Sequence, residues 1–461
     1  MKVNVKGTLT IGEVAKMAGG VLVNADDKEI TCFTTDSRES CNGALFIAIK
    51  GERFDGNDYI ASAFEKGAIC ALAERVPEGF SGSVILVENT SLALGRIAEA
   101  YKDRLCPLTV AVTGSVGKTT TKEFIHAVLS ERYKTLKTEG NYNSDIGLPM
   151  TLLGLSSYDE ATVLEMGMSG KGEIRYLSRI ASPNIAVITN IGSSHIGKLG
   201  SREAIRDAKL EIREGLKKDG ALILNGDEPL LSGIKGAIYV SMENPDATVY
   251  VSGIVEGDNG TAFDLKIKGE LFESVVIPTL GEHNVMNAAY AFTVGTLAGL
   301  GEFEIRRGLM KYKSAGMRQQ IYNSHGAKIV EDCYNASPES MLAAIKLLSD
   351  MAKREGRRSV AVLGDMRELG PHCCTLHRKV GAAVAAYDID VLITVGDDAG
   401  EIAKAAASFG MNSDSIYVFA NGESYSRIGK IIKRITGEND IILFKASRAV
   451  ELEKLVAYVK E

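Results

Sequence analysis

A glycine-rich turn between an apolar segment and a helical pattern is the part of the chain best suited to chemistry. It has the sequence Thr113-Gly-Ser-Val-Gly-Lys-Thr-Thr120. Its glycines let backbone N–H groups close around phosphate oxygens, and Lys118 can neutralise the outer phosphates. The Thr119 hydroxyl can bind Mg²⁺, and the start of the next helix adds a positive dipole end. The spacing G-x-x-G-K-T is shorter than the general phosphate-loop pattern, because position 112 is Val. We predict a phosphate-binding loop here.

Further polar residues follow predicted strands. Glu165 stands at the end of an apolar segment, and His195 follows another over 185–191. In open α/β sheets, ligands bind at the carboxyl ends of strands, and a carboxylate oxygen suits Mg²⁺. Lys209 lies within a helix predicted over 201–216. A single histidine is more often packed or exposed than a ligand, and a lysine within a helix is usually solvated. Residue type alone therefore leaves the roles of His195 and Lys209 open.

The elements that position these residues alternate between strand and helix, which predicts a mostly parallel sheet. The predicted strands cover residues 108–113, 161–166, 185–191 and 221–224, and the helices cover 118–130 and 201–216. Residues 237–280 show short alternating strands with glycine turns, which predicts a small antiparallel annex. A strong helical pattern follows over 284–300.

The length of 461 residues favours about three domains. Residues 1–106 mix short strands and helices and predict a smaller N-terminal α/β domain that ends before Pro107. Residues 107–313 form the predicted central domain, and 313–316 are a candidate hinge. Residues 314–461 repeat the strand–helix alternation, which predicts a C-terminal Rossmann-like, doubly wound domain. The fold class is therefore α/β throughout.

Composition excludes several classes of protein. Lys plus Arg is 53 and Asp plus Glu is 59, a net charge of −6, which argues against a general nucleic-acid or anionic-membrane binder. No apolar run approaches the ~20 residues that span a bilayer, and the first residues have no secretory pattern. The seven cysteines form no C-x-x-C pair, as in a reduced cytosolic chain. We expect a cytoplasmic protein without a membrane segment or a nucleic-acid partner.

Five stretches together resemble the Mur ligase family, the ATP-dependent amide-forming enzymes of peptidoglycan precursor synthesis. Residues 113–120 are similar to its phosphate loop, and Thr138-Glu-Gly-Asn-Tyr-Asn-Ser-Asp-Ile-Gly-Leu-Pro149 to its asparagine-rich segment. Thr189-Asn-Ile-Gly-Ser-Ser-His195, followed by Lys209-Leu-Glu-Ile212, resembles its metal-site histidine and carbamylated lysine. Gly281-Glu-His-Asn-Val-Met-Asn287 resembles its adenine-contacting segment. The resemblance covers essentially the whole chain.

The resemblance implies a role for each of these positions. Catalytic roles fall to Lys118, Lys209 and His195. The implied ATP-binding residues are Gly114, Ser115, Val116, Gly117, Lys118, Thr119, Thr120, Asn287, Arg318 and Asp332. The implied Mg²⁺ ligands are Thr119, Glu165, His195 and Lys209 in carbamylated form. The implied substrate-binding residues are Thr35, Asp36, Ser37, Arg38 and Asn143.

Three stretches point to one branch of the family, the members that join D-alanyl-D-alanine to a UDP-N-acetylmuramoyl tripeptide. They are Asp332-Cys-Tyr-Asn-Ala-Ser-Pro338, Val362-Leu-Gly-Asp-Met-Arg-Glu-Leu-Gly370 with His377, and Thr35-Asp-Ser-Arg38 with Asp55-Gly56. The resemblance implies an acyl-phosphate intermediate, the last cytoplasmic step of pentapeptide precursor synthesis, and a monomer. It also implies that the first domain binds the UDP-sugar, the second ATP and the third the dipeptide.

Alternatives remain open at this point. The chain could be a related Mur-type ligase that adds another amino acid, such as the enzyme that adds the third residue or a folyl-polyglutamate synthase. The Asp-Asn-Pro-Arg pattern of the diaminopimelate-adding relatives is absent, which argues against one of these. From another class, it could be a P-loop NTPase switch or motor that hydrolyses nucleotide without ligation. ATP hydrolysis that requires both other substrates would separate the ligase from the motor.

The chain departs from the family pattern at a few positions. Asn57 stands where a histidine is usual, Ser144 and Ser337 replace asparagines, and Ala446 replaces a glycine. Asn57 leaves open how the chain contacts the nucleotide sugar, and Ala446 leaves open how the last domain contacts its substrate. Arg38 has two interpretations as well, a contact to a phosphate or an ion pair that orders the loop through Asp36.

Overall fold

The computed structural model describes residues 1–24, 27–258 and 260–460, which fold around three β-sheets that succeed one another along the chain. Each sheet is mostly parallel, and helices pack against it. The three-domain α/β architecture expected from the strand–helix alternation is thereby confirmed. Among the described residues, no helix is both long enough and apolar enough to cross a membrane.

The first sheet has the strand order β1-β3-β4-β5-β6-β2. In chain order its elements are β1 (Lys2–Asn4), α1 (Ile11–Ala18), β2 (Val21–Val23), β3 (Cys32–Thr34), β4 (Ala44–Ile47), α2 (Ile60–Glu65), β5 (Ala68–Ala73), β6 (Ser83–Leu86) and α3 (Thr90–Leu105). The inner strands are parallel, and β1 and β2 close the two edges in antiparallel pairing.

The second sheet has the order β15-β14-β13-β12-β11-β10-β7-β9-β8. Its elements begin with β7 (Leu108–Thr113), α4 (Lys118–Leu129), β8 (Thr135–Lys137), α5 (Gly147–Leu153), β9 (Ala161–Glu165), α6 (Glu173–Ala181), β10 (Ile185–Ile188), α7 (Ile196–Leu199) and α8 (Arg202–Leu210). They continue with β11 (Ala221–Asn225), β12 (Ala237–Ser241), β13 (Val249–Glu256), β14 (Thr261–Ile267), β15 (Glu270–Ile277), α9 (Glu282–Leu297) and α10 (Glu302–Met310).

The centre of this sheet is apolar on both faces because helices cover both. Along β7, Val110 and Val112 join the apolar cluster that contains α4 and α9, whereas Ala111 between them joins the cluster that contains α6. Successive residues of a strand point to opposite faces, so a strand between two helical layers must be apolar throughout. This packing fixes the carboxyl end of β7, where the phosphate loop begins.

Two local expectations need correction. The antiparallel part of the sheet is shorter than the predicted annex, because β12 pairs in parallel with both β11 and β13, and only β13–β15 are antiparallel to one another. The helix predicted over 201–216 ends at Leu210 and continues as a 3-10 turn over Glu211–Glu214. The Glu211 carboxylate accepts hydrogen bonds from the backbone N–H groups of Gly172 and Arg175, which holds this turn against the start of α6.

The third sheet has the order β16-β17-β21-β18-β19-β20 and is parallel except for β16. Its elements are β16 (Gln320–Ser324), β17 (Ala327–Glu331), α11 (Pro338–Glu355), β18 (Arg358–Gly364), α12 (Cys373–Ala386), β19 (Val391–Val395), α13 (Gly400–Ser408), β20 (Ile416–Phe419), α14 (Tyr425–Ile435), β21 (Asp440–Lys445) and α15 (Glu453–Lys460). Residues 311–319 connect it to the central domain, and the hinge within them stays a prediction.

Candidate active site

The phosphate loop connects β7 to α4 and depends on two of its glycines. Gly114 has φ 151° and Gly117 has φ 84°. A Cβ atom at Gly114 would lie 1.9 Å from the Thr189 hydroxyl, and one at Gly117 would lie 2.7 Å from Oδ1 of Asn287. Glycine is therefore required at both positions by close approach as well as by backbone conformation. Lys118 folds back over the loop, and its ammonium donates to the carbonyl of Gly114 at 2.7 Å.

Asn190, which is not among the predicted site residues, holds the loop through hydrogen bonds. The side-chain oxygen of Asn190 accepts hydrogen bonds from the backbone N–H groups of Ser115 at 3.1 Å and Val116 at 2.9 Å. Asn190 follows β10 and lies within the stretch Thr189–His195, of which only the histidine was predicted to act. Its position directly after a central parallel strand was the signal that could have identified it.

Three of the predicted residues meet at Glu165, the last residue of β9. Oε2 of Glu165 accepts a hydrogen bond from the Thr119 hydroxyl at 2.8 Å, and Oε1 accepts one from the Asn143 side chain at 3.0 Å. The backbone N–H of Glu165 donates to the Thr138 hydroxyl. Glu165 is only 3% exposed, so these contacts fix the carboxylate. A hydroxyl and a carboxylate next to a phosphate loop form an oxygen-rich site of the kind that Mg²⁺ prefers.

Lys209 lies on α8 and is buried, with 2% of its surface exposed. Within the described part of the chain its amine forms neither a hydrogen bond nor an ion pair. Burial lowers the pKa of Lys209 well below its usual range, and the positive charge of Lys118 lowers it further. The pKa of Lys118 is also lowered, chiefly by loss of hydration, although Glu165 opposes this. The lowered pKa favours the neutral, nucleophilic form of the amine at position 209.

His195 has a partner in another domain. It adopts the left-handed conformation with φ 64°, and its Nδ1 lies 2.5 Å from Oε2 of Glu368, in the loop that follows β18. The close contact with His195 lowers the pKa of Glu368. Gly197 strengthens the same junction, since its N–H donates to the Glu368 carbonyl at 3.1 Å. The structure thus places His195 at the contact between the central and C-terminal domains.

A cavity of about 480 Å³ between these two domains collects most of the predicted residues. The predicted residues that line it are Ser115, Val116, Gly117, Lys118, Thr119, Thr120, Asn143, Glu165, His195, Lys209, Asn287, Arg318 and Asp332. Among the described residues, no group of three or more His, Cys, Asp or Glu side chains is arranged to hold a metal ion. The predicted Mg²⁺ site therefore depends on the Thr119 hydroxyl and on a modified Lys209 in addition to Glu165 and His195.

The C-terminal domain contributes positive charge to the cavity. Lys445, the last residue of β21, donates to the Asp332 carboxylate at 2.5 Å and to the carbonyl of Asn335 at 3.2 Å. The Arg318 guanidinium lies 3.6 Å from the ring centroid of Tyr334. Lys445 was not among the predicted site residues. It ends a buried strand, just as Glu165 does, and that position could have identified it.

The predicted substrate-binding loop of the first domain lies elsewhere. Among the described residues that line the cavity, none comes from residues 1–107. The Arg38 guanidinium binds the Asp36 carboxylate through two parallel hydrogen bonds, at 2.9 and 2.7 Å, which lower the pKa of Asp36. Arg38 therefore orders its own loop through Asp36, and its side chain stays 82% exposed.

The positions that depart from the family pattern have structural partners. Asn57 is buried and donates to Asp55 at 2.7 Å, while its oxygen accepts from the backbone N–H of Glu74 at 2.9 Å. Ser337 caps the start of α11. Ala446 packs against Gly364 so closely that a Cβ atom added to Gly364 would lie 2.7 Å from the Cβ of Ala446. His377 is fully buried as well, and its Nε2 accepts from the backbone N–H of Met366 at 3.0 Å. These side chains stabilise local structure.

Comparison with known proteins gives consistent matches along the chain. The Mur ligase family catalytic domain matches residues 29–102, the Mur ligase middle domain residues 112–295, and the Mur ligase glutamate ligase domain residues 317–448. The UDP-N-acetylmuramoyl-tripeptide–D-alanyl-D-alanine ligase of Bacillus subtilis is 42% identical over 457 residues, 97% of each chain. A MurF crystal structure from Acinetobacter baumannii is 30% identical with a TM-score of 0.90, covering 98% of this chain and 99% of that one. The MurF ligase of Thermotoga maritima in complex with ADP is 29% identical with a TM-score of 0.82, covering 93% and 96%.

Proposed function

Because the chain belongs to the Mur ligase family, we infer that it is an ATP-dependent ligase that joins D-alanyl-D-alanine to a UDP-N-acetylmuramoyl tripeptide. The observation that carries this inference is the shared cavity: the phosphate loop of the central domain and the strand ends of the C-terminal domain line one space. A ligase needs this arrangement, because phosphoryl transfer and amide formation must happen on the same carboxyl group. A switch or motor has no need of it.

The reaction follows from the weakness of a carboxylate as an electrophile. Transfer of the terminal phosphoryl group of ATP to the C-terminal carboxylate of the tripeptide gives an acyl phosphate. The amine of D-alanyl-D-alanine then attacks the carbonyl carbon, a C–N bond forms, the C–O bond to phosphate breaks, and the amine loses a proton. The protein supplies position and charge: Lys118 stabilises the transferring group, and closure between domains excludes water that would hydrolyse the intermediate.

We propose that Mg²⁺ accompanies ATP at Glu165. The Thr119 hydroxyl and the Glu165 carboxylate offer adjoining oxygen atoms, as the 2.8 Å hydrogen bond between them indicates. His195 and Lys209, as its carbamate, complete the proposed set, and the neutral amine that burial favours at Lys209 is the form that reacts with CO₂. When bound, the ion would neutralise charge on the outer phosphates. Mg²⁺ prefers oxygen ligands to an imidazole. The His195 imidazole is also in contact with Glu368.

We further propose the distribution of ligands over the domains. Residues 1–106 bind the UDP-sugar through Thr35–Arg38 and the stretch 50–56, residues 107–313 bind ATP, and residues 314–461 bind the dipeptide. The protein acts as a cytoplasmic monomer. The cysteines of the described residues are free thiols, as in a reducing compartment.

One assay tests the function directly. Purified protein is incubated with ATP, Mg²⁺, D-alanyl-D-alanine and a UDP-muramoyl tripeptide with either lysine or diaminopimelate as third residue, and ADP and the pentapeptide product are measured. We expect ADP release only when both co-substrates are present. ATP hydrolysis at the same rate without them would indicate a switch or motor, and incorporation of a different amino acid would indicate another ligase.

A further inference from the structure

Glu339, in the first turn of α11, reaches from the C-terminal domain to the central domain. Its Oε1 accepts two hydrogen bonds from Ser193, one from the backbone N–H and one from the hydroxyl, both at 2.8 Å. A Cβ atom on Gly192 would lie 2.7 Å from the Glu339 carboxyl group, so the two domains touch here as closely as a glycine permits. Hydrogen bonds to a carboxylate are strong and directional, and this pair fixes the segment around Ser193.

The segment that Glu339 holds is the one that supports the phosphate loop. Asn190 accepts from the backbone N–H groups of Ser115 and Val116, the Thr189 hydroxyl donates to the carbonyl of Val116 at 2.5 Å, and the Gly192 N–H donates to the Ser115 hydroxyl at 2.8 Å. The backbone of 189–193 therefore joins Glu339 at one end to the phosphate loop at the other.

We propose that Glu339 is a positioning residue for phosphoryl transfer: when the C-terminal domain docks, its carboxylate fixes segment 189–193, and that segment holds the phosphate loop in its productive shape. Phosphoryl transfer depends on position more than on any covalent step. ATP is thereby used efficiently only when the domain that brings the amine is in place. The identity of the reaction rests on the proposed function, whereas the link between Glu339 and the phosphate loop does not.

The competing explanation is that Glu339 only strengthens the domain contact. A matched control exists, because Arg354 on the same helix pairs with Glu256 of the central domain at 2.9 Å. This contact crosses the same two domains, and neither residue bonds to segment 189–193 or lines the cavity. Loss of docking strength alone would make the Arg354 and Glu339 variants behave alike.

Steady-state kinetics with all three substrates separate these explanations. We expect Glu339→Ala to lower kcat at least about tenfold, since it removes two charge-assisted hydrogen bonds. Glu339→Gln keeps an acceptor oxygen of the same reach and should stay within about threefold of the wild type. The kcat of Arg354→Ala should also stay within about threefold of the wild type. The KM for the UDP-tripeptide should not change. If Arg354→Ala lowers kcat as much as Glu339→Ala, or if Glu339→Ala has no effect, the proposal is wrong.

A double-mutant cycle with Ser115→Ala tests the link itself. In the described part of the chain, the hydrogen bonds of segment 189–193 link Glu339 to Ser115. Independent effects would multiply, whereas a shared network gives a double variant less impaired than the product of the single losses. Losses that multiply within twofold would refute the network. Titration with a fluorescent ADP analogue gives the same cycle on nucleotide affinity. This binding cycle can be measured even if the wild type does not ligate these substrates. Such a failure to ligate would refute the proposed function and leave the link between Glu339 and the phosphate loop testable. Should Glu339→Ala not fold, Glu339→Asp, too short to reach Ser193, replaces it.

Discussion

A buried lysine without a partner destabilises the fold that contains it, and Lys209 offers a quantitative test of that statement. Its side chain is 2% exposed, it has no hydrogen-bond partner among the described residues, and its pKa is lowered by burial and then by Lys118. Methionine has a similar length and no charge. We expect Lys209→Met to raise the free energy of unfolding while it abolishes ligation, because function and stability make opposite demands here.

The size of the gain comes from the burial of an unpaired polar group, which costs about 1–3 kcal/mol in proteins. Taking ~2 kcal/mol, and a shift of about 2–4 °C per kcal/mol for a domain of this size, the unfolding midpoint should rise by about 4–8 °C at pH 7. The pH dependence has a definite sign. Because the folded pKa lies below the unfolded value, the unfolded state binds more protons between the two. Wild-type stability therefore rises with pH across that window, and the advantage of Lys209→Met shrinks toward pH 10.5.

Lys122 is the matched control. It is 1% exposed, but its ammonium donates to the Thr138 carbonyl at 2.7 Å and pairs with Glu123 at 3.0 Å. Lys122→Met leaves the Thr138 carbonyl without its donor, while Glu123 keeps Lys137 at 2.5 Å, so the variant should cost about 1–3 kcal/mol. Scanning calorimetry in CO₂-free buffer from pH 6 to pH 9 should thus give opposite shifts for the two variants. Equal destabilisation by both would refute the reasoning.

The same experiment tests carbamylation. A neutral lysine amine and CO₂ form a carbamate and release one proton, so a ligand that binds only the folded state should stabilise it. Added bicarbonate at pH 8 should raise the unfolding midpoint of the wild type and leave that of Lys209→Met unchanged. An equal response in both proteins would show that bicarbonate acts elsewhere.

Three shorter predictions concern other residues. Lys118→Ala should abolish ligation with an unchanged circular dichroism spectrum, whereas activity within a few-fold of the wild type would mean that Lys118 does not act on phosphate. Glu165→Gln should lose activity and recover part of it at high Mg²⁺ in steady-state assays; a loss that is equal at every Mg²⁺ concentration would contradict a metal role. Oxidised glutathione should join Cys32 to Cys41, since their sulfur atoms are 3.1 Å apart and the pKa of Cys41 is lowered by Cys32 and by Lys2. Peptide mass mapping should show this bridge and a reduced Cys70, whose pKa burial raises to about 12.

The sequence predicted those elements whose local pattern is decisive. β7, β9 and β10 are short apolar runs, and the phosphate loop marks where the first of them ends. α5 was not predicted because all of its residues are buried, so it has no polar face and no helical period to detect. The direction of β12 was also missed. Whether a strand is parallel depends on the path of its connection across the sheet, and residues 237–241 contain no information about that path.

The residues of the candidate site also fall into two groups, those that a local pattern predicts and those that depend on domain packing. Glu165, Lys209 and the phosphate loop were predictable because each follows a strand or fits a family motif, and parallel strands bring their carboxyl ends to one edge. Glu339 contacts Ser193, next to the phosphate loop, from another domain, more than a hundred residues further along the chain. Such contacts depend on how two complete domains pack, and no local pattern encodes that packing.

At His195, local motif and domain packing act on a single residue. Its motif predicts a metal ligand, while its position gives it Glu368 of the C-terminal domain at 2.5 Å. The metal-ligand role and the interdomain-contact role of His195 predict different effects of the Glu368→Gln substitution. Because Glu368 is about half exposed, the contact is worth up to about 1 kcal/mol, so the variant should raise the KM for D-alanyl-D-alanine up to about fivefold by loosening the domain proposed to bind it. The Mg²⁺ concentration for half-maximal rate should stay the same. If that concentration shifts while the dipeptide KM does not, Glu368 acts on the metal site through the imidazole, and the domain contact is secondary.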